Sequence, residues 1–398
     1  MSPLLAWIGF FTSLAILLVV SRKSLMASIF LGALILGIFT LSPSELAWEF
    51  WSSFVDLSVI LLALAVGLIP LIGGGLSQSG QMDDLVKNMR IGKKAFLAFS
   101  PALVGMLPMP GGALLSAPLV EKAGEGMPRE KKAGLNVWFR HVLYLVYPLS
   151  PALIVSITMA NLDIYQALPY LASFLVFSVA LGYLFFLRSV RGRMEYEERF
   201  SMKKLLIPLA VILVAPLLDF LIKALFPGIV KEAATLIGVA TSLTLVITIG
   251  KIGLKDFCQI FRKSKPWDFA LIIVGMIVFY NVFKASSVPG LITEVQITPE
   301  ILCVAVGFML GFATGRIQVP AAIIIPIFAT KFGTMSAPVF AIMFFSIFLG
   351  YVLTPVHPCV AFSAKFFNVD LKYFFKEVGP LALTAFVISF ILFLVLNA

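Results

Sequence analysis

Charged residues are scarce in this chain of 398 residues. Only 13% of its residues are Asp, Glu, Lys or Arg, whereas 60% are hydrophobic, and its mean hydropathy is +1.04. A soluble protein of this length needs more charge to cover its surface. Apolar runs approaching the roughly 20 residues that cross a bilayer recur, for example at 4–20 and 381–396. The sequence therefore predicts an all-α polytopic membrane protein with about ten transmembrane helices.

Cysteine and the signatures of common catalytic sites are also rare or missing. The three cysteines (Cys258, Cys303 and Cys359) are scattered, which fits neither a disulfide framework nor a metal site. The zinc motif H-E-x-x-H, the nucleophile elbow G-x-S-x-G and P-loops do not occur. No Asp or Glu falls at the centre of an apolar run, which disfavours a carboxylate proton relay. We expect no enzyme activity, no metal and no cofactor, apart from a sodium ion or a proton as coupling ion.

One proline motif occurs twice. Residues 148–151 read Pro-Leu-Ser-Pro, and residues 355–358 read Pro-Val-His-Pro, 207 positions further along. Both motifs stand inside apolar segments long enough to cross a bilayer, so each breaks a membrane helix. Paired broken helices in two related halves are typical of a transporter's binding site. The residues that follow match at the same spacing: Ser156 with Ser363, Asn161 with Asn368, and Asp163 with Asp370.

Two further apolar stretches, residues 96–120 and 300–330, are interrupted by proline and glycine. The first is too short to cross the membrane twice, because two crossings need roughly 40 residues. A single crossing would need neighbouring protein to satisfy its broken backbone. We interpret both stretches as re-entrant hairpins, which turn at residues 107–112 and around residues 315–320.

The positive charges predict the orientation in a cell membrane. With the amino terminus outside and both hairpins returning to the side they leave, the inside segments hold 25 of the 30 lysines and arginines. The net charge of +10 is then a cytoplasmic bias, and no nucleic-acid partner is expected. No basic residue precedes the first apolar run, so we expect that run to remain as a helix. The inside segments are 21–24, 81–95, 121–140, 188–204, 251–268 and 365–377.

This orientation makes the two halves inverted copies. An odd number of crossings separates the loop at 161–163 from its match at 368–370, so the two loops lie on opposite faces. The first repeat (1–187) has three helices, the hairpin 96–120, the broken helix 138–160 and a last helix. A cytoplasmic linker follows at 188–204. The second repeat (205–398) has three helices, the hairpin 300–330, the broken helix 337–367 and a last helix.

The two breaks and the two hairpin tips mark the predicted solute site. A proline break frees backbone groups that protein, water, an ion or a solute must satisfy. Half-helix amino termini attract anions, and the guanidinium of Arg316 inside an apolar stretch suits carboxylate or phosphate. The predicted solute-binding residues are Pro108, Pro110, Gly111, Gly112, Pro148, Ser150, Pro151, Gly315, Arg316, Gln318, Pro320, Thr354, Pro355, His357 and Pro358.

Each of these features also has a plainer interpretation. The prolines kink many membrane helices, the glycines make tight turns, and Arg316 could cap hairpin carbonyls or extend to water. His357 could be a packing residue, while His141, beside Arg140, is expected at the membrane interface. The predicted coupling-ion ligands are Ser150, Ser156, Thr354, His357 and Ser363, of which Ser156 and Ser363 could instead bond to their own helices.

The arrangement resembles the ion transporter superfamily, which includes divalent anion/sodium symporters, citrate carriers and gluconate permeases. Residues 105–112 (Gly-Met-Leu-Pro-Met-Pro-Gly-Gly) and 354–358 (Thr-Pro-Val-His-Pro) resemble its branch called domain of unknown function 401. The resemblance implies transport of small organic anions with sodium or protons, by a homodimer with a static scaffold and a moving transport domain. The symporters carry Ser-Asn-Thr at their hairpin tips and this chain does not, so their sodium sites do not carry over by position.

The leading functional hypothesis is a secondary transporter that moves a small, carboxylate-type anion by alternating access. A passive ion or solute channel on the same inverted scaffold is the alternative. A membrane-embedded enzyme or assembly factor ranks last, because no catalytic constellation is visible in the sequence.

Overall fold

The structure, a computed structural model, describes residues 2–106, 112–194, 196 and 199–397, without the side chains of residues 112–114 and 397. These described residues form helices and connecting turns, with no β-strand among them. Eight helical segments in this part of the chain, of 18 to 30 residues each, are long and apolar enough to cross a membrane, and the longest, Ala337–Phe366, contains the second proline break. The prediction of an all-α polytopic membrane protein is confirmed.

Ten α-helices make up the described part of the first half. A 3-10 turn at Leu143–Leu145 follows α8, and π-helical turns at Tyr183–Leu187 continue α10. The helices are α1 (Pro3–Val20), α2 (Leu25–Thr40), α3 (Pro43–Val55), α4 (Leu57–Gln78), α5 (Gln81–Lys87), α6 (Lys93–Met106), α7 (Gly112–Ala123), α8 (Arg129–Val142), α9 (Pro151–Met159) and α10 (Ile164–Gly182).

The second half repeats this order of elements. A π-helical segment, Ile301–Val306, precedes α16. The helices are α11 (Met202–Leu225), α12 (Lys231–Ile249), α13 (Leu254–Ser264), α14 (Pro266–Ala285), α15 (Val288–Glu294), α16 (Gly307–Thr314), α17 (Gln318–Phe332), α18 (Ala337–Leu353), α19 (Pro358–Phe366) and α20 (Leu371–Asn397).

The predicted hairpins and broken helices correspond to particular helices of the structure. In each half, the predicted hairpin is a pair of helices in mutual contact, α6 with α7 and α16 with α17. Each predicted broken helix is a long helix, a proline-containing turn and a nine-residue helix, α9 or α19. The repeat boundaries, the inversion and the re-entrant course of the hairpins stay predictions.

Two amphipathic helices, α3 and α13, are missing from the predicted order. They have 13 and 11 residues, too few to cross a bilayer, and a search for long apolar runs passes over them. Trp48 and Trp51 on α3 are more than 60% exposed, which is typical of a helix at the membrane interface. The capping box of Ser42 and Glu45 begins α3.

The helices pack in two groups. The first helices of both halves contact one another: α1 with α2, α11 with α12, α4 with α12 and α14, and α2 with α14. The hairpins, broken helices and last helices form the other group, in which α18 contacts α10, α16 and α20, and α8 contacts α6, α7 and α20. Each group therefore draws on both halves of the chain.

Glycine permits the closest of these contacts. A Cβ on Gly350 of α18 would overlap the backbone carbonyl of Phe308 in α16, and a Cβ on Gly311 would overlap that of Ile347. Gly105 in α6 has the same relation to the carbonyl of Arg140 in α8. The hairpin helices α6 and α16 consequently lie backbone to backbone against the long arms of the broken helices.

Candidate functional site

The two broken helices share their backbone geometry. α9 begins at Pro151 after Ser150, and α19 begins at Pro358 after His357. Ser150 and His357 are extended, with φ/ψ of −63°/120° and −70°/121°, and neither side chain caps its helix. A proline at the first helical position brings no N–H to satisfy and favours an extended residue before it. Both half-helices therefore begin with amino termini that their N-cap side chains leave unblocked.

The far ends of the half-helices match as well. Asn161 and Asn368 adopt left-handed φ angles of 52° and 53°. The N–H of Leu162 donates to the Ile157 carbonyl at 3.1 Å, and the N–H of Val369 donates to that of Ala364 at 2.9 Å. Asparagine tolerates this conformation better than most residues, and the bond pattern is that of a Schellman motif. The conserved spacing of 207 residues thus reflects two copies of one local fold.

Two histidines meet beside the second break. The ring centroids of His141 and His357 are 4.6 Å apart, and the ring of Tyr351 stacks on His357 at 4.0 Å. These are the only histidines in the chain. His141 comes from α8 in the first half, whereas Tyr351 and His357 belong to the second broken helix. Residues of both halves therefore build one buried cluster, which we call the histidine cluster (His141, Tyr351, His357 and Cys359).

The expectation of an interfacial His141 is wrong. Its side chain is 1% exposed, and residues 132–142 of α8 are buried throughout. The charged residues at the start of α8 made this stretch resemble a cytoplasmic loop, and Arg140 was assigned to that loop. In the folded chain, α8 begins at Arg129, nine residues before the predicted broken helix, and carries Arg140 into the protein interior.

The nitrogen atoms of the two imidazoles have different surroundings. His141 Nδ1 lies 2.7 Å from the Val137 carbonyl, which can only accept, so Nδ1 carries the proton and Nε2 is left for the cluster. His357 Nδ1 is buried without a hydrogen-bond partner among the described residues, as is Ser150 Oγ at the first break. A buried polar atom without a partner costs free energy unless an ion, water or solute supplies the missing bond.

Two arginines add positive charge to the histidine cluster. Arg140 is 4% exposed, donates to Ser116 Oγ at 3.3 Å and hydrogen-bonds to Cys359. The guanidinium groups of Arg316 and Arg140 are the positive charges near His357. Thus the structure brings Arg316 and His357, two predicted site residues, near Arg140 and His141, which were not predicted to belong to the site.

The tip of the second hairpin lies against the second break. Gly315 has a left-handed φ of 60°, and a Cβ built on it would stand 3.1 Å from the backbone nitrogen of His357. Gln318 begins α17 directly after the tip, and Pro320 is buried within that helix. At the first hairpin, Gly112 begins α7. Pro108, Pro110 and Gly111 lie outside the described residues.

The predicted hydroxyl ligands are engaged to different degrees. Ser156 Oγ donates to the Ala152 carbonyl of its own helix at 2.7 Å. Its counterpart Ser363 instead accepts a hydrogen bond from Asn136 Nδ2 at 2.9 Å, which links α19 to α8. Thr354 Oγ1 accepts from the N–H of Val356 at 3.3 Å across the Pro355 turn. Of these hydroxyls, that of Ser150 has no hydrogen-bond partner among the described residues.

The histidine cluster also has the ligand types of a metal site. One ligand atom from each of His141, His357 and Cys359 lies within 4.8 Å of the other two. Such a set suits a borderline cation such as Zn²⁺. However, the positive charges of Arg140 and Arg316 act on His357, and they would repel a metal cation bound there.

A second polar region lies between the first half-helix and α11–α12. A cavity of about 120 Å³ is lined by Pro148 of the first break and Asn161 at the end of α9, and by Asp219 of α11. Asp219 is 2% exposed and pairs with Lys223 at 2.7 Å, and it accepts hydrogen bonds from Thr235 and Tyr165. We call this group the Asp219 cluster.

Comparison with solved structures gives a match over almost the whole chain. The structure is similar to that of the YdaH transporter of Alcanivorax borkumensis, which is described as having an unusual topology. The TM-score is 0.63 at 13% sequence identity, and the match covers 92% of this chain and 94% of the other. At this identity the likeness shows the fold. No curated protein sequence matches the chain.

A protein-family comparison covers the same extent. The family described as a protein of unknown function, DUF401, matches residues 4–396, which include both breaks, both hairpin regions and the histidine cluster. The chain belongs to the DUF401 family.

Proposed function

We propose that this protein is a secondary transporter that moves a small anionic solute, of carboxylate type, across the cell membrane by alternating access. The solute site lies between the two helix breaks and includes the histidine cluster, Arg140 and Arg316. The amino terminus faces outside, the linker 188–204 faces the cytoplasm, and the coupling ion is sodium or a proton.

The observation that carries this proposal is the accumulation of positive charge at a buried helix break. Arg140 and Arg316 both act on His357, which begins the half-helix α19 without capping it. The positive end of a helix dipole and two guanidinium groups attract an anion together. The unpartnered Nδ1 of His357 offers the anion or its coupling proton one more bonding position.

The fold supports transport rather than a static binding role. The solved structure with the same fold is called a transporter, and half-helices beside hairpins characterise carriers with a site near the membrane centre. The two packing groups offer a division into a scaffold built from α1, α2, α4, α11, α12 and α14 and a moving part built from the remaining long helices. A homodimer and elevator-type movement, as in the ion transporter superfamily, are part of the proposal.

A thermal-shift screen of purified protein tests the solute class. Carboxylates, phosphate and sulfate are added with and without sodium, because a ligand that binds the folded state raises the melting temperature by mass action. We expect at least one carboxylate to stabilise the protein. If every anion leaves the melting temperature unchanged while a neutral or cationic solute raises it, the anionic class is wrong.

Uptake into proteoliposomes tests transport and the role of Arg316. For Arg316→Ala we expect roughly tenfold weaker apparent affinity or more, since a hydrogen bond to a charged group contributes about 1.5–3 kcal/mol. Arg191→Ala, in the exposed linker, removes the same charge and should leave uptake unchanged. Accumulation of a solute against its gradient separates the carrier from a passive channel, which only equilibrates it.

A further inference from the structure

We propose that His141 and His357 act as one proton-binding pair, which gains a proton when the anion binds and loses it when the anion leaves. This inference rests on the proposed anion site and names the proton as the coupling ion. Solute and proton would then cross the membrane together, in the same direction.

The geometry of the pair supports a shared role. The two imidazole rings are 4.6 Å apart and both are at least 98% buried. His141 is held by its bond to the Val137 carbonyl, while His357 Nδ1 has no partner in the described part of the chain. The free Nδ1 of His357, beside a ring anchored to Val137, provides a place for an added proton.

The charges around the pair determine when that proton can be held. The first broken helix contributes Arg140 and Tyr144 to the surroundings of the pair. The second contributes Tyr351 and Cys359, and the hairpin tip contributes Arg316. The positive charges of Arg140 and Arg316 repel a proton on either ring. An anion in the site reverses the balance, because its charge compensates the imidazolium.

Thermodynamic linkage then couples proton binding to anion binding. If the anion favours the protonated pair, protonation favours anion binding by the same factor. The proton comes from water on the side to which the site is open, adds to a ring nitrogen lone pair, and returns to water on the other side when the solute is released. No other reactant is required.

Because the chain has two histidines, the protonation of each can be measured directly. Protein labelled with ¹⁵N-histidine gives nitrogen signals from His141 and His357 alone, and a neutral imidazole has an unprotonated nitrogen whose signal disappears on protonation. The titration is recorded in lipid nanodiscs between pH of about 5 and 8. Cys359→Asp places a fixed carboxylate beside both rings, and Cys359→Asn is its neutral control.

We expect both rings to be neutral near neutral pH in the wild type and in Cys359→Asn. In Cys359→Asp at least one ring should lose its unprotonated-nitrogen signal at the same pH. Arg316→Gln removes a positive charge, so His357 should titrate at higher pH than in the wild type, and this variant needs no new group in the cluster.

Two results would overturn the proposal. The first is a wild-type pair that is already protonated near neutral pH without an anion. The second is a pair whose titration is the same in the wild type, Cys359→Asp and Arg316→Gln. Because these spectra require no solute, they fail or succeed separately from the thermal-shift screen, which tests the anion site itself.

Discussion

Gly315 and His357 are in backbone contact: a Cβ built on the hairpin glycine would stand 3.1 Å from the His357 nitrogen. The contact joins the tip of the second hairpin to the start of α19. It requires both the left-handed φ of 60° and the lack of a side chain. Any movement of the hairpin tip must therefore change the surroundings of the unblocked helix end.

Gly315→Ala should weaken both folding and solute binding. The left-handed backbone costs an alanine about 1–2 kcal/mol, and the crowded His357 backbone adds to that. Gly80→Ala is the matched control, since Gly80 has φ of 75° with nothing within 4 Å of a built Cβ. We expect a larger fall in melting temperature and in ligand-induced stabilisation for Gly315→Ala. Equal effects of the two changes would show that only backbone strain matters.

Gly350→Ala should separate α18 from α16. The added methyl group overlaps the Phe308 carbonyl, and overpacking of this kind costs typically about 1–3 kcal/mol. Gly379→Ala in α20 meets open space and should be neutral or slightly stabilising, because alanine favours a helix. Thermal unfolding in detergent compares the two. A Gly350→Ala protein as stable as the wild type would contradict the backbone-to-backbone packing.

Removal of Asp219 should destabilise the protein strongly. Its carboxylate is buried and holds Lys223, Thr235 and Tyr165, and breaking a buried ion pair costs about 3–5 kcal/mol. Asp84→Ala breaks the exposed pair with Lys204, which is worth at most about 1 kcal/mol. Chemical or thermal unfolding of Asp219→Ala and Asp84→Ala measures the contrast. Similar losses would mean that the Asp219 cluster is accessible to water.

Ser363→Ala and Ser156→Ala test two residues at equivalent positions of the repeated motif. Loss of the Ser363 hydroxyl leaves the buried Asn136 amide without its acceptor, which costs about 1–3 kcal/mol. Ser156 bonds only to its own helix, so its replacement should change stability by less. The difference in unfolding free energy reports the link between α19 and α8. A larger loss for Ser156→Ala would contradict it.

The membrane class and the two helix breaks were predictable because they follow from local patterns. Both copies of the motif have proline at the first helical position and asparagine at a left-handed helix end, and both residues are visible in the sequence. No local sequence pattern indicates that His141 contacts His357. His141 is 216 positions away, at the end of a helix whose charged start is typical of a loop, and only tertiary packing carries it inside. The Asp219 cluster went unpredicted for the same reason.

The two breaks have the same backbone conformation but carry different side chains. Ser150 and His357 hold the same conformation at the start of matching half-helices, yet one offers a hydroxyl and the other an imidazole. The two breaks thus share the way the helix is interrupted and differ in the side chain at the interruption. In the proposed mechanism, only the break at His357 takes up and releases a proton, so the two ends of the solute site differ in chemistry.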